Sequence, residues 1–310
     1  MITSVSTLKM SREEWLELRR HGIGGSDAAA VLGVSRYKSP FGVYLDKTTE
    51  MPDVTTPVME MGNLLEDYVA KLFEQESGMK VARRNRTYTN SDHPFMLANI
   101  DRYVIGQQAG LECKTTTKYS WKGWDTGEIP PEYYWQCQHY MAVLGYKRWF
   151  LAVLFRDTGD FRWMQVDRDD AGIDRMIAAE SEFWGRVVGK NPPPASGLES
   201  ETELIDEMYP AESATGESVD LTSLSEIIST RARLAQELKD GKAAMDALDQ
   251  QIKRAMGTAQ EGKAGNFTVS WKACQRNDID RKKLAAFPDV LAAVSSLSSF
   301  RRFEIKEVGA

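Results

Sequence analysis

The sequence predicts an α+β protein: a mixed β-sheet flanked by helices, followed by a helical extension with a small β part. Three observations support this class. Short strand-like runs are bracketed by stretches with helical apolar spacing, an acidic Pro-rich stretch follows them, and a near-heptad apolar pattern begins beyond it. We therefore expect a first domain over residues 1–190, a linker over 191–218 and a second domain over 219–310.

Helix signals come first along the chain. Ser11 and Glu14 have the spacing of a capping box, which opens a short helix ending near Arg20. A Gly-rich turn over 22–27 leads to a helix over 28–32. Further helices are predicted over 40–47, 60–75, 132–144 and 169–188.

The predicted strands alternate with turn-forming residues. Strands are expected over 80–88, 96–105, 110–116, 149–155 and 161–166, the last two as a hairpin. Beyond the linker, the apolar pattern over 221–252 predicts one long helix or, with a break near Gly241, a helical hairpin; it fits intrachain packing and a partner-binding coiled coil equally well. A strand at 267–271, a helix at 281–287 and a closing strand at 303–305 complete the prediction.

Composition excludes several classes of protein. The chain has 310 residues, which suits about two domains. It has no apolar run of the roughly 18 residues that span a bilayer, and its start lacks the order of a signal peptide. Its three cysteines lie far apart, which argues against a disulfide framework or a Cys-based metal cluster. We expect a cytoplasmic protein without a membrane partner.

The charge is unevenly distributed. The net charge of −6 argues against indiscriminate nucleic-acid binding, but nine acidic residues and no Lys or Arg lie between Lys190 and Arg231. The remainder is close to neutral, with local basic clusters at 19–21 and 80–86. DNA binding through a basic cleft is compatible with this balance.

Asp101, Glu112 and Lys114 are the strongest candidates for chemistry. Two strands joined by a turn can bring the carboxylates of Asp101 and Glu112 together. Residues i and i+2 share one face of a strand, so Lys114 should lie beside Glu112. Converging carboxylates suit Mg²⁺ or Mn²⁺, and a neighbouring ammonium can orient or deprotonate a water molecule. The pattern is typical of phosphodiester hydrolysis.

A Glu-x-Lys triplet is weak evidence on its own. It also occurs at Glu237/Lys239, Glu261/Lys263 and Glu304/Lys306, in a predicted helix, turn and strand respectively, where a solvated charge pair is the plainer interpretation. Only Glu112 follows a strand that carries an acidic residue within an otherwise apolar run.

A set of motifs in residues 10–170 resembles the lambda exonuclease/YqaJ-type viral recombinase family, a branch of the PD-(D/E)xK nucleases. The motifs are Trp15-x-x-x-Arg19, the segment 22–29, Gly62-Asn63-x-Leu65-Glu66, His93-Pro94, Asn99-x-Asp101, Leu111-Glu112-x-Lys114 and Gln136-x-x-x-Tyr140. One departure is Ile100, where the general motif has Pro. The resemblance implies a restriction-endonuclease-like core and 5′-to-3′ degradation of one strand of linear duplex DNA to mononucleotides.

The resemblance also implies roles for individual residues. Glu66 and the backbone carbonyl of Cys113 would join Asp101 and Glu112 around two Mg²⁺ or Mn²⁺ ions. Lys114 would act on the attacking water, and Gln136 would hold that water or the phosphate. Arg19 and Ser26 would bind the terminal 5′-phosphate, with Gln138 as a weaker candidate for contact with DNA.

Partners and alternatives follow from the same resemblance. We expect a homo-oligomer, a ring-forming trimer, that works in the bacterial host as a phage or prophage protein beside a single-strand annealing protein. Two other functions stay open: a DNA-binding recombination scaffold without cleavage, and an endonuclease on the same core. The scaffold is disfavoured because burying such a charge cluster is costly, and the endonuclease because Arg19 and Ser26 suit a strand end.

Overall fold

The computed structural model describes residues 1–49, 56–276, 281–296 and 298–305. The chain divides into two compact units, Met1–Glu207 and Met208–Ala310. The first unit holds all of the residues proposed for chemistry.

Helices α1 to α6 begin and end close to where the sequence predicts. They are α1 Arg12–Arg20, α2 Gly25–Val31, α3 Pro40–Thr48, α4 Pro57–Ser77, α5 Pro131–Leu144 and α6 Asp170–Val188; α7 Glu199–Met208 was not predicted. The capping box is confirmed, since Ser11 N donates to Glu14 Oε2 at 2.8 Å and Glu14 N donates to Ser11 Oγ at 3.1 Å. Helix α2 begins earlier than predicted because the Asp27 carboxylate accepts the Gly24 N–H at 3.1 Å.

The strands of this unit form two mixed sheets. The first sheet has the order β1 (Ile2–Ser6), β4 (Arg86–Asn90), β5 (His93–Asn99) and β2 (Ile23–Gly24). The second has the order β3 (Val81–Ala82), β6 (Arg102–Val104), β7 (Ala109–Thr116), β8 (Arg148–Phe155) and β9 (Phe161–Asp167). The β2–β5 and β7–β8 pairs are parallel and the other pairs antiparallel. Mixed sheets with flanking helices confirm the α+β class, and β8–β9 is the predicted hairpin.

The single strand predicted over 96–105 is wrong in one important respect. It is split into β5 and β6, which belong to different sheets, with Ile100 and Asp101 between them. The Asp101 carboxylate accepts a hydrogen bond from the backbone N–H of Cys113 at 2.8 Å, where a continued strand would have placed a backbone carbonyl. The predicted strand over 80–88 is split in the same way, into β3 and β4.

Strand β8 is the centre of the core. Its residues Trp149, Leu151, Val153 and Phe155 pack in one apolar cluster with α5, whereas Phe150, Ala152 and Leu154 pack in another with α4. Alternate residues of a strand point to opposite faces, so β8 is covered on both sides and reads as a continuous apolar run. Gly110 on β7 is required here, because a Cβ atom would lie 2.2 Å from the Trp149 ring.

Helix α5 is buried on nearly every side, although it carries polar residues. Each of these finds a partner, as buried polar groups must. Gln138 Nε2 donates to the Asp167 carbonyl at 2.8 Å, and its Oε1 accepts the Asp169 N–H at 3.0 Å. His139 Nδ1 lies 2.9 Å from Glu180 Oε1 on α6, and its Nε2 lies 3.1 Å from the carbonyl oxygen of Leu97 on β5. These contacts fix α5 against the hairpin, α6 and the first sheet.

The segment 191–218 is not an irregular linker throughout. Helix α7 lies within it and packs on the first unit through Leu204, which contacts the cluster that includes Val43 and Phe183. The buried Glu201 carboxylate accepts the Ser196 N–H at 3.0 Å and so closes the turn that precedes the helix. An acidic composition indicates a linker only where no apolar residue of the segment packs against a domain, and here Leu204 packs against the first unit.

The second unit is built on one long helix. Helix α8, Ser225–Met256, runs through Gly241 without a break, which decides between the two predictions for that region. Strands β10 (Glu261–Ala264) and β11 (Phe267–Ser270) form an antiparallel hairpin, so the turn predicted at Glu261 is a strand. Short helices α9 (Arg281–Leu284) and α10 (Pro288–Val294) follow.

The closing strand predicted at 303–305 is not found in the described residues there. Phe303 is 79% exposed, and alternation alone does not form a strand that lacks a neighbour. Lys306 of the fourth Glu-x-Lys triplet lies outside the described residues. In the parts of the chain that the structure describes, no helix is long and apolar enough to cross a bilayer.

The buried His139–Glu180 pair predicts a specific dependence of stability on pH. Burial alone lowers the pKa of His139, but the Glu180 carboxylate and the Leu97 carbonyl both accept from the protonated ring, and the net pKa is raised above 6.5. A raised folded-state pKa gives stability that is complete below the unfolded-state value and is lost as pH rises through the folded-state value. We expect the free energy of unfolding to fall as the pH rises above about 6.5.

His139→Gln should remove this component. The measurement is urea unfolding of both proteins across neutral and mildly alkaline pH, with the difference between them taken at each pH. A difference that does not change with pH would show that folding does not raise the pKa of His139.

Candidate active site

Glu112 and Lys114 lie on the face of β7 that meets α5, as the i, i+2 spacing predicts. Lys114 Nζ is 2.7 Å from Glu112 Oε1. Gln136 on α5 donates from Nε2 to the same Oε1 at 2.7 Å and lies 3.0 Å from the Tyr140 hydroxyl. Glu112 is therefore held by two donors, with its side chain only 2% exposed.

Asp101 reaches β7 from the break between the two sheets. Its carboxylate accepts the Cys113 N–H at the edge of β7 that β6 leaves unpaired, since β6 pairs only as far as Leu111. The N–H and C=O of one residue in a strand point to the same edge. The Cys113 carbonyl is thus directed to the same edge as Asp101, consistent with its expected part in metal binding.

Burial and neighbouring negative charges raise the pKa of both carboxyl groups. Burial raises the pKa of Asp101 well above its ordinary value, and the nearby Glu112 and Glu66 carboxylates raise it further. Burial also raises the pKa of Glu112, although Lys114 beside it acts in the opposite direction. The single ammonium of Lys114 does not offset the negative charge of the neighbouring carboxylates.

This arrangement fits a hard divalent cation. Glu112 Oε2 is buried without a hydrogen-bond partner, which is costly for a carboxylate oxygen unless a cation binds it. Among the described residues, no three Cys, His, Asp or Glu side chains form a metal-binding group by themselves. A site here would combine the two carboxylates of Asp101 and Glu112 with the Cys113 carbonyl, all oxygen donors of the kind that Mg²⁺ and Mn²⁺ prefer.

Glu66 stands apart from this pair. Its Oε1 accepts from the guanidinium of Arg102 and lies 3.0 Å from Arg83 Nη2. It nevertheless lines one cavity of about 180 Å³ together with Asp101, and its charge raises the pKa of that residue. Glu66 therefore lies near Asp101 but is neutralised by two arginines, which sequence motifs did not indicate.

Lys114 is held in its charged form. Burial lowers the pKa of Lys114, but Glu112 and Asp101 outweigh that effect and raise it above its ordinary value. The ammonium also lies 5.3 Å from the centre of the Tyr133 ring, a favourable cation–π contact. In this arrangement the Lys114 ammonium can donate hydrogen bonds and stabilise nearby negative charge.

Arg19 and Ser26 are brought together as expected. Arg19 Nη2 donates to Ser26 Oγ at 3.0 Å, and its guanidinium lies 4.9 Å from the centre of the Trp15 ring. Lys47 Nζ donates to the Arg19 carbonyl at 3.0 Å and to the buried Asp27 carboxylate at 2.8 Å. The pKa of Asp27 is lowered despite its burial, because Lys47 and Arg19 favour the charged form.

Gln138 does not belong to this site. Both ends of its amide are occupied by the backbone of residues 167 and 169, and its side chain is fully buried. Gln136 and Gln138 are separated by about 200° around a helix, so only Gln136 faces Glu112. We therefore remove Gln138 from the set of residues that contact DNA.

Gly25 connects the two parts of the site. A Cβ atom on Gly25 would lie 2.5 Å from the Tyr140 ring, so only glycine lets this ring approach α2. The same tyrosine contacts Gln136, which in turn donates to Glu112. Gly25 beside Tyr140 was visible in the sequence as part of two motifs, but nothing in their spacing indicated that they touch.

Comparison with known proteins places the chain in a family. A model of the YqaJ-like viral recombinase domain matches residues 14–147. The YqaJ protein of Bacillus subtilis (strain 168) is 41% identical over 307 residues, which cover 97% of this chain and 96% of that protein.

Two solved structures are more distantly similar. The alkaline exonuclease of Laribacter hongkongensis is 20% identical, with 63% of this chain and 99% of that chain covered and a TM-score of 0.47. A phage-related exonuclease from Haemophilus somnus 129PT is 11% identical, with 57% and 99% covered and a TM-score of 0.44. The near-complete match at 41% identity, together with the domain match, shows that this chain belongs to the YqaJ family of viral recombinase domain proteins.

Proposed function

We propose that this protein is a metal-dependent 5′-to-3′ exonuclease that degrades one strand of linear double-stranded DNA to mononucleotides. One observation carries the proposal. The buried carboxylate of Glu112 and the partly buried carboxylate of Asp101 lie at the unpaired edge of β7 beside a charged lysine, and one Glu112 oxygen has no hydrogen-bond partner. A protein that only binds DNA has no use for a negative charge cluster at its binding surface.

The cation would be Mg²⁺ or Mn²⁺, as two ions in each site, held by Asp101, Glu112 and the Cys113 carbonyl, with Glu66 near enough to contribute. Such ions activate a water molecule and stabilise the leaving oxygen of a phosphodiester. Arg102 and Arg83 both contact Glu66 Oε1, so a metal ion would compete with these arginines for that oxygen.

The chain's own residues position the reacting groups. Lys114, kept positive by Glu112 and Asp101, can donate a hydrogen bond to the attacking water or to a phosphate oxygen that gains charge. Gln136 orients Glu112 through its amide and is itself fixed by Tyr140. The polarity of digestion is assigned to Arg19 and Ser26, whose adjacent donors suit a terminal 5′-phosphate.

Digestion of one strand from its 5′ end leaves a 3′ single-stranded overhang. Such an overhang is the substrate of recombination by annealing, so we expect a single-strand annealing protein as a partner and, as for the family resembled, a homotrimer around the DNA. Incubation of the protein with linear and with covalently closed duplex DNA in Mg²⁺ distinguishes the exonuclease from the endonuclease and the scaffold. An endonuclease cuts both, a scaffold cuts neither, and the proposed exonuclease cuts only the linear DNA.

Glu112→Gln should lower the rate of nucleotide release by at least about a thousandfold, because a bound metal supplies several kcal/mol of transition-state stabilisation. The matched control is Glu261→Gln, which makes the same change in another Glu-x-Lys triplet. Glu261 lies on β10, where it pairs with Lys272 at 2.8 Å. Release of mononucleotides from end-labelled duplex is measured in Mg²⁺ and in EDTA. Full activity of Glu112→Gln, or of the wild type in EDTA, contradicts the proposed site.

The phosphate assignment predicts a preference for phosphorylated ends. A charge-assisted contact contributes about 1.5–3 kcal/mol, so a 5′-phosphate should be digested about ten to a hundred and fifty times faster than a 5′-hydroxyl. Arg19→Ala should remove most of this preference. Arg20→Ala is the matched control, because Arg20 pairs with Glu17 at 2.8 Å instead of Ser26. Equal rates of the wild type on both ends would refute the phosphate site and leave the nuclease assignment intact.

A further inference from the structure

Four strand ends lie side by side along one edge of the first sheet. The register pairs Ser6 with Arg86 and Thr87 with Asn99, and it pairs Gly24 with Leu97 in the parallel direction. The end of β1, the start of β4, the end of β5 and the end of β2 therefore follow each other along this edge, about 5 Å apart. Asp101 lies two residues beyond the end of β5, and β5 has β2, which precedes Ser26, on one side and β4, which begins at Arg86, on the other.

The side away from Ser26 contains a groove that nothing above assigns. A cavity of about 530 Å³ lies between β1 and the residues before β4, lined by Ser4, Ser6, Leu8, Arg84, Asn85, Arg86 and Tyr88. The cavity of about 180 Å³ that reaches Asp101 and Glu66 shares Arg84, Asn85 and Arg86 with it. One continuous path thus leads from the carboxylates to the end of β1. We call it the β1–β4 groove.

The β1–β4 groove carries positive charge that the protein does not neutralise. Arg84 and Arg86 are exposed, and within the described residues no carboxylate forms an ion pair with either. Arg84 stacks over the Tyr103 ring at 3.9 Å, and Arg86 Nε donates to Ser4 Oγ at 2.8 Å. Both guanidinium groups are therefore held in place by neutral partners and keep donors for an anion. Arg83, by contrast, is used by Glu66 and Asp67.

A backbone hydrogen bond holds the segment before β4 in place. Thr7 N donates to the Asn85 carbonyl at 2.8 Å, which ties the end of β1 to the arginine segment. Leu8, on the same rim, is 69% exposed and offers an apolar surface. Fixed donors with an apolar neighbour suit a sugar–phosphate backbone better than a small acidic ligand. Successive nucleotides of a DNA strand are about 3.4 Å apart along the helix axis, and neighbouring β-strands are about 5 Å apart. The distance across β1 and β4 therefore accommodates a few nucleotides.

We propose that the β1–β4 groove binds the phosphates of the digested strand on the 3′ side of the cleaved bond, through Arg84 and Arg86. The direction of the strand rests on the proposed function, in which Arg19 and Ser26 take the 5′ end on the other side of Asp101. A strand held at both flanks of the carboxylates presents its first internal phosphodiester to them.

The test uses the Arg84→Gln/Arg86→Gln variant of the full chain. Binding of a 5′-phosphorylated duplex is measured in a Glu112→Gln background over a range of salt concentrations. Loss of two phosphate contacts should raise the dissociation constant about tenfold or more and reduce the slope of log affinity against log salt by about 0.7–0.9 per arginine. Arg84→Lys/Arg86→Lys keeps both charges and should retain most of the slope, which distinguishes lost contacts from a damaged fold.

A second arm compares substrates by length in proteins with Glu112 intact. The glutamine variant should lose kcat/KM on the duplex by about tenfold or more and keep the wild-type value on a 5′-phosphorylated dinucleotide, which has no phosphates beyond the cleaved bond. Arg148→Gln, which removes one positive charge at the start of β8, should behave as wild type on both.

Unchanged duplex affinity and salt slope in the glutamine variant would overturn the proposal. So would an equal loss on the dinucleotide, which would assign the arginines to the reacting centre or to the fold. Absence of all cleavage by the wild type would refute the nuclease, whereas the binding arm would still decide whether this groove takes DNA.

Discussion

The structure depends on two neighbouring carboxylates at the edge of β7, the buried Glu112 and the partly buried Asp101. Glu112 is almost fully enclosed, and Asp101 is tied to the next residue of the same strand through the Cys113 N–H. Burial raises the pKa of both carboxyl groups, the Glu112 carboxylate raises the pKa of Asp101 further, and one oxygen of Glu112 has no hydrogen-bond donor. A folded protein tolerates such a cluster only with cationic compensation. Lys114 supplies part of it, and the oxygen donors left over define where a metal would supply the rest.

Other features of the fold follow from keeping this cluster in place. Helix α5 is buried despite its polar residues because Gln136 holds Glu112, Gln138 holds the backbone after β9, and His139 holds α6 and β5. Gly25 lets α2 approach Tyr140, so the residues proposed for the 5′-phosphate and those proposed for metal share one support. Along the edge of the first sheet, Ser26 follows the end of β2, Asp101 follows the end of β5, and Arg84 and Arg86 lie at the start of β4.

Prediction from sequence succeeded where the signal is local. The capping box of Ser11 and Glu14, the β8–β9 hairpin and the shared face of Glu112 and Lys114 depend on residues a few positions apart. The break at Asp101 was missed because the apolar residues of 96–105 outweighed Asn99 and Asp101, which are of types depleted in strands, and the Cys113 N–H that Asp101 accepts lies twelve residues along the chain. Strand β1 was missed because its partner β4 lies some eighty residues away. Gln138 was misassigned because the sequence shows the residue type but not which face of α5 is buried. The contacts of Glu66 with Arg83 and Arg102 were missed because these three residues lie in separate segments of the chain.

Calorimetric titration of Mn²⁺ into the protein without DNA tests the central claim directly, because it does not depend on catalysis. The carboxylates have raised pKa values, so a cation that binds them should displace protons, and the apparent enthalpy should vary with the ionisation enthalpy of the buffer. The account predicts saturable binding with proton release at mildly acidic pH, with both strongly reduced in Asp101→Asn. Binding that is absent in the wild type, or unaltered in Asp101→Asn, would contradict it.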